Sequence, residues 1–145
     1  MRNSLTFVAI TIIAGIFISS CKKDPPPVKS DEELRIEELN GTWVLDAGSN
    51  VVTVAGRDVS ADWSGFALTL NEKNYSTSGS DSPEVWPANG TWDFGSDVNK
   101  LVRSDGIEIS ISVTETSLAL QFDYSAAGGR LNGIEGTWIF KLVEQ

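Results

Sequence analysis

Apolar and polar residues alternate, segment after segment, through most of this chain. Phe66, Leu68 and Leu70 fall on one face of FALTL, and Trp92 and Phe94 on one face of WDF. Ile107, Ile109, Ile111 and Val113 do the same in IEISISV, Leu118, Leu120, Phe122 and Tyr124 in LALQFDY, and Trp138, Phe140 and Leu142 in TWIFKL. Period two is the signature of a strand with one face in a core and the other in water. Turn-forming residues part the runs. Asp105-Gly106 predicts a type I′ hairpin, and 71–74 and 114–117 divide other pairs. Strands are expected near 42–46, 66–70, 74–78, 91–94, 100–103, 107–113, 118–124 and 137–143. The stretch 50–56 either extends the first strand's hairpin or pairs elsewhere.

Short links between successive strands imply an antiparallel meander. Eight strands with one apolar face can close on themselves and so remove exposed edges. The expected fold is all-β: an eight-stranded antiparallel up-and-down barrel, its last strand beside its first. Helical signals are confined to the segment ahead of it. Ser30 is a plausible N-cap with Glu33 as capping-box partner, so 30–39 reads as a short helix. Leu34 and Leu39 would dock it on a barrel end. A solvated charged tether is the competing reading.

GTW occurs three times, at Gly41-Thr42-Trp43, Gly90-Thr91-Trp92 and Gly136-Thr137-Trp138, and takes three of the five tryptophans. Each opens an expected strand. Gly lets the chain turn in without a Cβ clash, Thr suits the outward pleat position, and Trp fills a barrel end with a large ring. Closure makes the strands of Trp43 and Trp138 neighbours and puts Trp92 across the barrel. The near-regular spacing also fits a half-barrel duplication.

The first residues belong to another task. MRNSLTFVAITIIAGIFISSC has a basic start at Arg2, an apolar run from Leu5 to Ile18, then Ser19 and Ser20. That is a secretory signal layout, with a run too short for a typical spanning helix. Its end, Ile18-Ser19-Ser20-Cys21, resembles a bacterial lipobox. The resemblance implies cleavage before Cys21 and acylation of that residue by palmitate-like chains, each buried methylene contributing about 0.8 kcal/mol to anchoring. The chain then divides into a signal peptide (1–20), a lipidated Pro-rich and charged tether with the short helix (21–38) and the barrel (39–145). Lys22 after the cysteine resembles outer-membrane sorting signals, and Lys23-Asp24 resembles surface-export signals of Bacteroidota lipoproteins. The expected location is the bacterial outer membrane, on its periplasmic or cell-surface face.

Charge narrows the partners. The chain carries 20 acidic against 11 basic residues, a formal net charge of −9, and no histidine. Nucleic acid needs a basic stripe and is not an expected partner. With Cys21 used for lipid, the usual nucleophile–base pairs and His or Cys metal sites cannot be assembled. No catalytic residue, metal ligand or cofactor is assigned, and the protein is read as non-enzymic. Asp58 with Asp62, and Asp81 with Glu84, read as solvated loop charges. Asp93, Asp97 and Asn99 lack the loop pattern of a dedicated calcium site.

A Gly-x-Trp opening the first strand of such a barrel, after a helical turn, resembles the lipocalins. The lipobox with a GTW first strand and GTWxF strands in mid-chain and at closure resembles the lipocalin-like lipoproteins of Bacteroidota, over about 39–142. The resemblance implies a lipocalin-like barrel and the binding of a small apolar ligand. It departs in one respect. Lipocalins place a late basic residue over the first-strand Trp, whereas here Lys141 falls on the outer face, with Arg103 and Arg130 as substitutes out of position.

Candidate barrel-lining residues are Trp43, Phe66, Leu68, Tyr75, Trp92, Phe94, Ile109, Ile111, Leu120, Phe122, Tyr124, Trp138 and Phe140. Tyr75 and Tyr124 are the expected polar handles. Eight strands leave an interior that side chains can fill or one small ligand can occupy. Two functions follow. One is a membrane-anchored carrier or sensor of a small hydrophobic molecule. The other is a non-catalytic envelope interaction or glycan-contacting module with a filled barrel. In the second, Trp63 in SADWSG and Trp86 in DSPEVWP, outside clear strands, are candidate surface contacts; the competing reading has both fold back as barrel lids.

Overall fold

The helix forms where its capping signals place it. In the computed structural model, which describes residues 27–126 and 133–145, α1 spans Asp31–Leu39. The Ser30 hydroxyl accepts from the Glu33 amide at 3.2 Å, and the Glu33 carboxylate accepts from the Ser30 amide at 2.7 Å. This reciprocal box satisfies two otherwise orphaned donors. Leu39 is fully buried and Ile36 half-buried against the core, but Leu34 is 47% exposed. The expectation for Leu34 is thus corrected. Five residues of helix put it roughly 140° round from Leu39, whereas Ile36, three residues away, shares that face. Arg35 donates to the Asn99 side chain at 3.0 Å, so α1 reaches from the first strand to the loop after the sixth.

Among the described residues ten strands follow: β1 (Gly41–Leu45), β2 (Val52–Val54), β3 (Arg57–Asp58), β4 (Ala67–Asn71), β5 (Asn74–Ser78), β6 (Asn89–Phe94), β7 (Lys100–Arg103), β8 (Glu108–Val113), β9 (Ser117–Tyr124) and β10 (Gly136–Glu144). Eight of them form a closed antiparallel barrel in the order β1-β4-β5-β6-β7-β8-β9-β10, with β10 back on β1. The stretch 50–56 pairs elsewhere, on β10. The last strand carries β1 along one half (Leu45↔Leu142, Trp43↔Glu144) and β2 along the other (Phe140↔Val52, Trp138↔Val54). Lys141 bridges the junction, its carbonyl accepting from Asp46 and its amide donating to Val51. In effect β1 and β2 are one strand, broken by an excursion over 46–51.

Turn chemistry differs from expectation at one hairpin. A type I′ turn needs positive φ at both central residues. That geometry occurs at Ala55 (φ 46) and Gly56 (φ 77), between β2 and β3. Between β7 and β8 only Gly106 has positive φ, at 90°. There the Arg103 carbonyl accepts from Gly106 at 2.8 Å and the Arg103 amide donates to Ile107 at 2.9 Å. The loop is therefore three residues long, a tight turn completed by a left-handed glycine, and Asp105 keeps ordinary backbone geometry. Gly106→Val should still cost about 1–3 kcal/mol, because a β-branched residue is strained at this φ. A urea midpoint equal to that of the parent would exclude this account of the turn.

The GTW stretches do not share one structure. Gly41 (φ 147) and Gly136 (φ 123) both turn the chain into its strand with positive φ. Behind each, the indole N–H reaches back four residues: Trp43 Nε1 donates to the Leu39 carbonyl at 2.9 Å, and Trp138 Nε1 to that of Ile134 at 2.7 Å. Antiparallel strands begin at opposite ends, so Trp43 seals the α1 end and Trp138 the loop end. Gly90 is different. A Cβ there would lie 2.7–2.8 Å from the Tyr75 hydroxyl and ring, so the glycine makes room for the ring. The Trp92 indole N–H has no partner.

Candidate functional site: the barrel interior

The loop end is closed from within by aromatic rings. Trp63, on the β3–β4 connection, meets Phe66, Trp138 and Phe140 edge to face at centroid distances of 5.4, 5.5 and 5.0 Å. Trp86, on the β5–β6 connection, packs against Phe66, Tyr75, Phe122 and Phe140. These tryptophans are only 1% and 3% exposed. Their assignment as surface contacts is therefore corrected. Local turns throw both rings inward: Phe66 donates to the Trp63 carbonyl, and Val85 and Trp86 both donate to that of Ser82. An indole buries some 150–250 Å², which outweighs the polar character of the loops that carry it.

Beneath this cluster lies a small apolar cavity of about 10 Å³, lined by Leu68, Leu70, Tyr75, Trp86, Trp92, Leu101, Arg103, Ile109 and Leu120. That is room for about one water, so the barrel in this state is filled. Of the lining expected from sequence, Leu68, Tyr75, Trp92, Ile109 and Leu120 meet at the cavity. Trp43 belongs to the α1 end, and Phe66, Phe122, Trp138 and Phe140 to the loop-end cluster. Ile111 is buried, whereas Phe94 and Tyr124 are half-buried and outside the cavity wall. Tyr75 is thus a polar handle there and Tyr124 is not.

The most polar group of the interior is Arg103, which the sequence offered only as an out-of-position substitute for a late basic residue. Arg103 is 2% exposed. Its Nη1 donates to the Val85 carbonyl at 2.9 Å, its Nε to Asp105 Oδ1 at 3.1 Å, and its Nη2 to Asp105 Oδ2. The guanidinium lies 4.7 Å from the Trp86 ring and 5.6 Å from that of Phe122. Arg103 does pack on tryptophan, as the lipocalin pattern requires of a late basic residue, but on Trp86 and not on Trp43. Lys141 is exposed, and Arg130 and Cys21 lie outside the described residues. The available signal was alternation: Leu101 points inward, so Arg103 must too.

The electrostatics follow from this burial. Burial pushes the Tyr75 phenol up; the Arg103 charge opposes and the Asp105 charge adds to the rise. For Asp105 burial also acts upward, but the hydrogen bond and charge of Arg103, with backbone amides, outweigh it and hold the carboxyl below its ordinary value. Among the described residues three buried donors lack acceptors: Arg35 Nε and the indole N–H groups of Trp86 and Trp92, the two tryptophans being among the residues that line the cavity. A buried donor left unpaired costs about 1–3 kcal/mol.

Elsewhere several polar side chains pair with one another or with backbone amides. Asp58 accepts from Ser60 and the Asn50 amide, Asp93 pairs with Lys73, Asp97 accepts from the Asn99 amide, and Glu84 accepts from Ser82. Among the described residues no three His, Cys, Asp or Glu side chains come together as a metal cluster, and no helix is long and apolar enough to cross a membrane. A hollow of about 520 Å³ between α1 and the β4–β5 turn is an open groove of mixed charge, lined by Lys29, Glu33, Glu37, Glu72 and Lys73 among others. No protein-family model, curated protein or solved structure matches the chain.

Proposed function

We propose that the protein is a non-enzymic, lipocalin-like lipoprotein, anchored at the outer membrane through Cys21, whose barrel binds a small, largely apolar molecule in the space that Trp86 fills at rest. The observation that supports this most is the buried, unpartnered indole N–H of Trp92, a residue that lines the cavity. A core selected only for packing gains nothing from it, whereas an acceptor on a ligand would satisfy it. Trp86 also sits on a connection between strands, so it can leave without opening the barrel wall. The small size of the cavity favours the second reading, a filled barrel acting as an envelope interaction module.

Titrating the detergent-released full chain with fatty acids, isoprenoids and neutral aromatic compounds separates the two readings. The carrier predicts saturable binding that shifts tryptophan fluorescence. It also predicts that Trp86→Ala binds apolar probes more tightly, since the occupant of the site has gone. If neither form binds any of them while circular dichroism reports a folded barrel, the interaction module is the better reading. The anchor is tested separately. Cys21→Ala should release the protein from the membrane fraction, and a variant retained in the pellet would exclude acylation as the anchor.

A further inference from the structure

We infer that the ligand of this barrel is a flat, uncharged aromatic molecule about the size of an indole, bearing one hydrogen-bond acceptor such as a ring carbonyl. The inference rests on the carrier reading, and it specifies the chemistry of the ligand from what surrounds Trp86.

Shape comes first. The ring that fills the site is planar, and a cation lies over it. The Arg103 guanidinium lies 4.7 Å from the ring centre, and the Phe122 and Phe140 rings lie 5.4 and 5.8 Å away, tilted by 39° and 38°. A guanidinium is attracted to a π face and gains nothing comparable from a saturated chain. A molecule replacing Trp86 keeps these contacts only if it too is flat and aromatic.

Polarity follows from the donors. When the connection carrying Trp86 moves out, it withdraws the Val85 carbonyl from Arg103 Nη1. That frees a second donor on a residue lining the same cavity as Trp92, whose indole N–H already has no acceptor. The rest of the wall is apolar apart from Tyr75. The site therefore offers donors and asks for an acceptor oxygen. A carboxylate is a poor answer, because Asp105 already takes two of the guanidinium's N–H groups and neutralises its charge. A second anion beside Asp105, in an otherwise apolar interior, would be buried without a free counter-charge.

Three bicyclic probes of matched size test this on the full chain by calorimetry, against a blank of the same detergent: chromone, naphthalene and 1-naphthoate. Chromone should bind about tenfold more tightly than naphthalene, the difference one well-made buried hydrogen bond supplies, and 1-naphthoate should bind no more tightly than naphthalene. Trp92→Phe keeps a ring and deletes the N–H, so it should narrow the ratio of chromone to naphthalene affinity, whatever its smaller ring does to the two affinities together. Equal binding of chromone and naphthalene by the unaltered protein would overturn the inference without touching the carrier reading. So would saturable binding of a fatty acid with none of chromone. Absence of binding by every apolar probe, with Trp86→Ala also inert, would overturn both.

Discussion

Trp63→Ala should lower the stability of the barrel by about 3–5 kcal/mol. Trp63 is 1% exposed and touches Phe66, Trp138 and Phe140 edge to face, so truncation removes an entire ring from the middle of the loop-end cluster. Part of the loss is transfer free energy. The rest is the void left by rings whose backbones lie in different elements, the β3–β4 connection and β10, and cannot all close on it. Edge-to-face geometry adds roughly 0.5–1.5 kcal/mol per aromatic pair beyond burial. Typical domains have only about 5–15 kcal/mol in total, so urea unfolding should show a large fall in midpoint. Trp63→Phe, which refills most of the space, should recover a good part of it. A surface-contact role for Trp63 requires the opposite: an unchanged midpoint and loss of a partner. An alanine variant as stable as the parent would therefore exclude the core position described here.

Arg103→Met should be nearly as costly, by a different route. Methionine fills much of the volume but leaves the Val85 carbonyl without its donor and Asp105 without its cation. Breaking a buried ion pair by removing one partner typically costs about 3–5 kcal/mol. The Asp105 side chain is 39% exposed, so water takes up part of its charge and a loss nearer 2–3 kcal/mol is expected. The sign of the pH dependence identifies the cause. Asp105 titrates in the fold below its ordinary value of 3.8. Its pairing is worth its full amount above that value and is lost as pH falls through the lower, folded pKa. The stability gap between parent and Arg103→Met should thus be widest at neutral pH and narrow in acid. A gap independent of pH would mean that Arg103 acts through packing alone.

Much of this fold could be read from period two. Eight strands with one wet face give their own boundaries to within a residue or two, because apolar side chains such as Ile109, Leu120 and Phe140 have only one place to go. β2 and β3 carried no comparable signal: three and two residues cannot show a period, and Ala-Gly lacks the Asn or Asp that marks a type I′ turn. The loop tryptophans were hidden for a related reason. Trp63 and Trp86 are single apolar residues among Ser, Asp, Pro and Glu, and composition assigns such a stretch to solvent. Only the backbone turns around them decide which side chain goes inward. Arg103 was legible by alternation, but its charge argued for the outside; the Asp105 carboxylate that offsets it stands only two residues on, whereas the Val85 carbonyl comes from another turn of the chain. The size of the interior is beyond sequence altogether. It depends on how the loop rings interlock, and their identities alone do not fix that.

The double use of β10 bears on when the barrel can exist at all. Trp43 pairs with Glu144 and Val54 with Trp138, so both halves of the interrupted strand wait for the same late segment. Until β10 arrives, β1, β2 and β9 each present an open edge able to pair with another chain. Closure also joins parts of the chain that are far apart in sequence, which puts folding on the order of milliseconds to seconds rather than microseconds. A chain made on one side of a membrane and folded on the other would use that delay. It stays threadable until its final strand is through, and its vulnerable interval is the one in which a holding chaperone, or a second unfinished copy, competes for the seam.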